Sequence, residues 1–218
     1  MAHLHVPDGL LPVWLWAPAL ALVLLLLAVL GRAIDPRRVA YQGALGAMML
    51  AAMAVPLGPL DYHLSLAGPV GVLLGPAAAL QVMFIVSLIL AFAGHGGLTV
   101  VGLNTLVLAL SGITASVVYR PLARRLAPAP ALALASAAGQ AVAGALFFAV
   151  LTAALRSPVH PGSLPPRAPR LEIVTAVVVA LWLLGLLVES VVAFGVGRFL
   201  ARVHPALLPI SESRAEAA

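Results

Sequence analysis

Cysteine and lysine are absent from the sequence, and charged residues make up only 9% of its 218 residues. Without cysteine the chain has no disulfide, no thiolate metal ligand and no thiol nucleophile. Soluble globular domains carry about 25% charged residues, so this scarcity of charge argues against a soluble domain. The net charge of +5 comes from arginine. In so apolar a chain we interpret the arginines as topology markers, not as a nucleic-acid-binding surface.

Common catalytic motifs are also missing. The sequence has no HExxH, no GxSxG and no Walker A loop, which are motifs of zinc proteases, serine hydrolases and ATPases. We therefore expect that the protein is not an enzyme. It also cannot drive uphill transport by hydrolysing ATP itself.

Hydrophobic residues, in contrast, make up 63% of the chain. Several apolar runs reach about 20 residues, the length that a helix needs to cross a hydrocarbon core of about 30 Å. The sequence therefore predicts an all-α fold, a polytopic helical bundle in the lipid bilayer. The apolar runs cover approximately residues 11–30, 40–57, 68–93, 98–118, 129–155 and 171–200.

The run from 68 to 93 has two interpretations, because Gly75-Pro76 interrupts it. As a single span, it would leave six arginines on each side of the membrane. As a hairpin of two short helices, it would put nine on one side and three on the other. Cytoplasmic loops carry the excess of basic residues, so the hairpin is favoured. The nine are Arg32, Arg37, Arg38, Arg120, Arg124, Arg125, Arg198, Arg202 and Arg214, and the three are Arg156, Arg167 and Arg170.

The hairpin gives about seven transmembrane segments, one or two of them short or broken, with the amino terminus outside. We expect three parts of the chain. Residues 1–10 form an extracytoplasmic metal-binding segment, residues 11–203 form the transmembrane bundle, and residues 204–218 form a polar cytoplasmic tail.

The same topology collects the histidines on the outer side, apart from His204. Imidazole and amine nitrogens suit Co(II), Ni(II), Cu(II) and Zn(II), and do not suit Mg(II) or Ca(II). A shared outer face therefore indicates a candidate transition-metal site. The outer histidines are His3, His5, His63, His95 and His160, the last of which we interpret as solvated.

The amino terminus allows three chelates. With Met1 retained, Met1-Ala2-His3 offers a complete plane of four nitrogens. With Met1 removed, Ala2-His3 offers the amine, one amide and an imidazole, and leaves one corner for a histidine such as His63. A third arrangement uses His5 and His63 without the amine. His95, between glycines, is either a further ligand or a turn residue.

Three polar residues fall inside the apolar runs: Gln81, Asn104 and Glu189. Polar groups are costly against lipid, so each is a functional candidate. Asn104 follows the His95 loop and is a candidate second-shell residue that orients a ligating imidazole, or a partner in an interhelical hydrogen bond. We interpret Glu189 as a polar anchor or a partner contact.

Several stretches, taken in order, resemble the CbiM/NikM family, the substrate-binding membrane components of cobalt and nickel energy-coupling-factor transporters. The first is the string His5-Val6-Pro7-Asp8-Gly9-Leu10-Leu11-Pro12. The others are His63-Leu64 with Gly68-Pro69, then Leu73-Leu74-Gly75-Pro76, then His95-Gly96-Gly97-Leu98-Thr99 with Gly102 and Asn104, then Glu189-Ser190-Val191-Val192, and finally Arg198-Phe199-Leu200.

The resemblance implies a seven-helix fold whose outer amino terminus inserts into the bundle. It implies a square-planar Ni(II) or Co(II) site made by the terminal amine, the next amide, a second-position histidine and a loop histidine matching His63. The family chain usually begins Met-His. Here three residues, Ala2, His3 and Leu4, separate Met1 from the aligned His5. The ligand is therefore His3, His5 or both, with Ala2 supplying the amine if Met1 is removed.

The resemblance also implies partners and a location. The partners are a transmembrane coupling subunit and two cytoplasmic ATPase subunits, and a small accessory membrane subunit is compatible with it. The location is the bacterial plasma (inner) membrane. One face of the second apolar run is either a docking surface for the coupling subunit or an intramolecular packing face. Its small residues are Ala40, Ala44, Ala47 and Ala51.

Two other functions compete with metal transport. An integral-membrane zinc metalloenzyme could use the same histidines, with Asp8 or Asp61 as the only outer carboxylates for a base. A structural membrane subunit would bind no metal.

Overall fold

A computed structural model of the chain describes residues 8–9, 11–30, 36–55, 63–155 and 171–209. Across these ranges the chain forms seven α-helices and two short 3₁₀ turns, and no strand. The prediction of an all-α bundle is confirmed. The helices are α1 (Val13–Leu30), α2 (Val39–Ala54), α3 (Ala67–Leu74), α4 (Pro76–Phe92), α5 (Val101–Ala123), α6 (Pro128–Leu155) and α7 (Leu171–Val203).

Four of these helices are long and apolar enough to cross a membrane, namely α1, α5, α6 and α7, and α2 and α4 are shorter apolar helices. Exposed apolar side chains cover the outer helices, for example Trp14 and Leu25 on α1 and Leu187 on α7. In water such a surface would be unstable, but in a bilayer it meets lipid. The protein is thus a multi-pass membrane protein.

The interruption at Gly75-Pro76 separates two helices, as the hairpin interpretation predicted. Helix α3 ends where the Gly75 N–H bonds to the Gly71 carbonyl, and Pro76 begins α4. Proline fits the first turn of a helix because the N–H that it lacks would have no partner there. The hairpin returns the chain to the end where it began, because the rings of His63, before α3, and His95, after α4, are neighbours.

Helix α3 is the most enclosed element of the bundle, although it has only eight residues. Every residue from Ala67 to Val72 is buried. It crosses α5 at backbone contact, since a Cβ at Gly71 would overlap the backbone of Gly112. Small residues allow such close crossings in membranes, where packing, not the hydrophobic effect, holds helices together.

The arginines of the described ranges share one end of the bundle, opposite the histidine pair. Helix α2 runs from Arg38 to a last turn that contacts His63. Helix α5 runs from the loop after His95 to a basic end, where its Tyr119 packs in one cluster with Leu208 after α7. All seven arginines at this end are exposed: Arg37, Arg38, Arg120, Arg124, Arg125, Arg198 and Arg202. The predicted grouping of these arginines is confirmed, and their cytoplasmic side stays a prediction.

The small-residue face of α2 is not covered by the rest of the described chain. Its four alanines, Ala40, Ala44, Ala47 and Ala51, are all exposed. The alternative that this face packs within the molecule is therefore not supported by the described residues.

The α3–α5 crossing gives a test of the fold. We expect Gly71→Ala to destabilise the protein by about 1–3 kcal/mol, because the new methyl group meets backbone that cannot move aside. Gly195→Ala on α7 is the matched control, since its Cβ would meet no atom within 4 Å. It should be neutral or stabilising by up to about 1 kcal/mol. Thermal unfolding of purified protein in detergent measures both, and equal stability of the two variants would contradict the crossing.

Candidate metal site

His63 is a buried histidine held by the end of α2. Only 4% of its surface is exposed, and its Nδ1 lies 2.6 Å from the carbonyl oxygen of Met53. Met53 belongs to the last turn of α2, where carbonyl groups have no partner within the helix. The imidazole therefore caps the end of α2, and this hydrogen bond fixes the orientation of the ring.

This bond also assigns the tautomer of His63. A carbonyl oxygen can only accept, so Nδ1 must carry the proton, and in the neutral ring Nε2 carries the lone pair. Metal-binding histidines commonly have this arrangement, because a bond from one ring nitrogen to a carbonyl orients the other toward the metal. The geometry of His63 is that of a ligand prepared to bind through Nε2.

His95 is placed by the turn that ends α4. The His95 N–H bonds to the carbonyl of Leu90, and the Gly94 N–H bonds to that of Ala91. These two bonds form a Schellman motif, whose left-handed position is taken by Gly94 with φ 79°. Glycine reaches this conformation without strain. The turn leaves the His95 side chain exposed at the mouth of the bundle.

The two imidazoles are close enough to share one metal ion. Their centroids are 5.8 Å apart and their planes differ by 70°. Two imidazoles on one ion, with metal–nitrogen distances of about 2.0–2.1 Å, have centroids roughly 4.5–6.5 Å apart, from cis to trans. His63 and His95 are thus brought together as the sequence suggested, one buried and one accessible.

The remaining predicted ligands, Ala2, His3 and His5, lie outside the described residues. Within the described ranges, no group of three or more His, Cys, Asp or Glu side chains could hold a metal. Asn104, the predicted second-shell residue, is buried in the first turn of α5.

Asp8 anchors the amino-terminal segment to the loop that follows His95. Its carboxylate accepts hydrogen bonds from the N–H groups of Leu98 (2.9 Å) and Thr99 (2.8 Å) and from the Thr99 hydroxyl (2.5 Å). Helix α5 begins just after these residues, and its own N-cap residue, Val100, provides no side-chain cap. Asp8 therefore pairs the backbone just before α5 from another part of the chain, with its negative charge near the positive end of the helix dipole.

The loop is shaped to accept this carboxylate. A Cβ at Gly97 would overlap both the side chain and the backbone nitrogen of Asp8. The same hydrogen bonds, with that of the Thr99 hydroxyl foremost, hold the pKa of Asp8 below its ordinary value of 3.8. Asp8 is thus a stable anion and a weak base. The sequence indicated this residue only as a catalytic candidate and as part of a family motif. It carried no local signal for this structural role, because the bonded residues are about 90 positions apart.

Taken together, the fold and this site define a helical membrane protein with a candidate transition-metal site at the end where its amino-terminal segment is anchored. The chain belongs to the CbiM family: its residues 5–207 match the family described as the cobalt uptake substrate-specific transmembrane region. It is thus a membrane component of metal uptake, as the sequence predicted, and the metalloenzyme alternative is not favoured.

Two solved structures have a similar fold. A truncated transition metal transporter superposes with a TM-score of 0.76 at 23% identity, over 92% of this chain and 99% of that one. A second transition metal transporter superposes with a TM-score of 0.76 at 22% identity, over 91% and 93% of the two chains. At these identities the likeness shows the fold alone. No curated protein sequence matches the chain significantly.

The anchor predicts a pH dependence. Because the pKa of Asp8 is lower in the folded protein than its ordinary value of 3.8, the carboxylate stabilises the folded anchor at pH values above 3.8. This contribution is lost as the pH falls through the lower, folded pKa. We expect the Thr99 amide resonance to titrate with a midpoint below 3.8, as measured by NMR in detergent. Asp8→Asn should abolish this titration, and a midpoint at or above 3.8 would contradict the anchor.

Proposed function

We propose that this protein is the substrate-specific membrane component of an energy-coupling-factor transporter, which binds Co(II) or Ni(II) at the outer face for uptake. The observation that carries the proposal is the pairing of His63 and His95 beside the anchored amino-terminal segment. Membership of a cobalt uptake family supports it. The similar structures, each titled as a transition metal transporter, agree with such a cargo.

The donor set fits a late first-row metal. His63 offers Nε2, with its proton held on Nδ1 by the Met53 carbonyl, and His95 offers a second imidazole. Nitrogen-rich tetragonal sites favour Ni(II) or Cu(II), and imidazole also binds cobalt and zinc. The two rings leave room in the coordination sphere for amine, amide or imidazole nitrogens from the amino terminus.

Chain length allows the amino terminus to supply those nitrogens. Asp8 is bonded to Leu98 and Thr99, a few residues beyond His95. Three residues span at most about 11 Å, and five at most about 18 Å. This chain length allows His5 and His3 to approach the imidazole pair while Asp8 stays bound. Ala2, His3, His5 and His63 remain the proposed ligands, with His95 as an additional one and Asn104 as a second-shell residue.

We propose that other subunits supply the energy for uptake, since the sequence has no Walker A loop. We propose a transmembrane coupling subunit, two cytoplasmic ATPase subunits and, in some assemblies, a small accessory membrane subunit, in the bacterial inner membrane. The exposed alanines of α2 would allow close approach of a helix from the coupling subunit.

A zinc metalloenzyme is the weaker alternative, because the structure does not favour its candidate bases any more than the family match favours an enzyme. Of the two candidate bases, Asp8 is occupied by three hydrogen-bond donors, and its lowered pKa makes it a poor general base. Asp61 lies outside the described residues.

Removing a ligand gives the main test of the site. We expect His63→Ala to abolish stoichiometric binding of Ni(II) or Co(II) by the purified protein, and His95→Ala to weaken it. His204→Ala is the matched control, because His204 is exposed at the arginine-rich end, and should leave affinity unchanged. Titration followed by the visible absorption of bound Ni(II) measures affinity and also excludes Zn(II), which has no such band. Wild-type affinity in His63→Ala would refute the site.

The amino terminus has its own test. At least one of His3→Ala and His5→Ala should lower metal affinity by more than about a hundredfold, since even groups that only orient a ligand are worth 10–100-fold. Intact mass of the mature protein shows whether Met1 is retained, and so which chelate each result describes. If both variants bind metal as the wild type does, the amino terminus does not contribute a histidine ligand.

A further inference from the structure

The segment that carries His63 reaches its position without regular secondary structure. Residues 63–66 are neither helix nor strand, and they lie between the end of α2 and the buried helix α3. Leu66 adopts φ 54° and ψ 14°, a left-handed conformation that a leucine rarely takes. Such a conformation persists only where the surroundings hold it. The question is which groups hold this segment.

Glu189 of α7 holds its backbone. The carboxylate, 2% exposed, accepts hydrogen bonds from the N–H groups of Ser65 (2.5 Å) and Leu66 (3.3 Å). These donors precede the first turn of α3, where no intrahelical acceptor exists. A buried carboxylate is costly unless it is hydrogen-bonded, so its two bonds to this segment define where α7 and the segment meet.

Helix α6 holds the side chain of Ser65, whose backbone is bonded to Glu189. The Gln140 Nε2 donates to the Ser65 hydroxyl at 3.1 Å, and the Gln140 carbonyl accepts from Nε1 of Trp182 at 3.2 Å. Trp182 lies seven residues before Glu189, two turns away on the same face of α7. Ser65 is thus tied to both α6 and α7, and these two helices are tied to each other. We refer to Ser65, Gln140, Trp182 and Glu189 as the polar clamp.

We propose that Glu189 is a positioning residue for the metal ligand His63. It acts through the backbone of Ser65 and Leu66, which keeps the imidazole where Nδ1 meets the Met53 carbonyl. The inference rests on the proposed metal-binding function, but its structural part does not need a metal. If Glu189 has this role, displacement of α7 changes metal affinity, because α7 carries two of the four clamp residues.

The test replaces Glu189 by its neutral isostere. In Glu189→Gln, the side-chain oxygen can accept one N–H bond, but the amide nitrogen that replaces the other oxygen cannot accept the second. We expect a 10–100-fold loss of Ni(II) affinity, the range observed when groups that orient metal ligands are removed. Ser190→Ala is the matched control, since the Ser190 hydroxyl donates to the Leu186 carbonyl of its own helix, and it should bind Ni(II) with unchanged affinity.

A metal-free readout separates positioning from simple loss of stability. In ¹⁵N-histidine NMR of the wild type without metal, at a pH where the ring is neutral, His63 should show the Nδ1–H tautomer. Glu189→Gln should convert this signal to a mixture of tautomers, and Ser190→Ala should not. Assignment of the signal comes from its loss in His63→Ala. The thermal midpoint of each variant reports stability separately.

Each outcome has a defined meaning. Weaker Ni(II) binding with a mixed tautomer in Glu189→Gln supports the positioning role. A wild-type tautomer in folded Glu189→Gln overturns it, even if stability falls. If the wild type binds neither Ni(II) nor Co(II), the proposed function fails, while the tautomer measurement still decides the role of Glu189. Should Glu189→Gln not fold, Gln140→Leu removes the tie from α6 and should show a smaller change in the same direction; an unchanged tautomer there would overturn the proposal.

Discussion

The burial of an irregular segment inside the helical bundle is the constraint on which this structure depends. A buried backbone donor is shielded from water, so it needs an internal acceptor. Residues 63–66 cannot supply their own, and Glu189 supplies them from α7. The Met53 carbonyl at the end of α2 is an acceptor that needs a donor, and the His63 imidazole provides one. Placement of the candidate ligand is therefore a consequence of hydrogen-bond pairing inside the bundle.

The same rule explains why the amino terminus and the His95 loop come together. The backbone N–H groups of Leu98 and Thr99, just before α5, need acceptors, and the Asp8 carboxylate provides them. This contact ties a segment rich in potential nitrogen ligands to a loop that already presents His95. The end of α2 and the loop before α5 are thus both completed by residues that also organise the candidate metal site. The same hydrogen bonds pair the backbone and place the candidate ligands.

Much of the fold could be predicted because lipid imposes simple rules. Apolar runs of about 20 residues indicated the long helices, and Gly75-Pro76 indicated the break between α3 and α4. Arginine counting selected the hairpin, and the structure places the described arginines at one end. The pairing of His63 with His95 was only suggested, since topology brings residues to the same face without setting a distance. The roles of Asp8, Gln140 and Met53 were not predicted, because hydrogen bonds across many residues leave no local pattern.

By itself, the sequence determined that the chain is a helical membrane protein, where its helices begin and end to within a few residues, and that His63 and His95 lie at the same end. These properties depend on hydropathy, proline, glycine and charge, which act locally or through the bilayer. Only the tertiary structure decided that His63 is buried with its proton on Nδ1, that His95 lies 5.8 Å from it between ring centroids, and that Glu189 holds the intervening backbone. Those properties depend on which residues meet when α2, α5 and α7 pack around the short helix α3, and packing of that kind is a property of the whole chain.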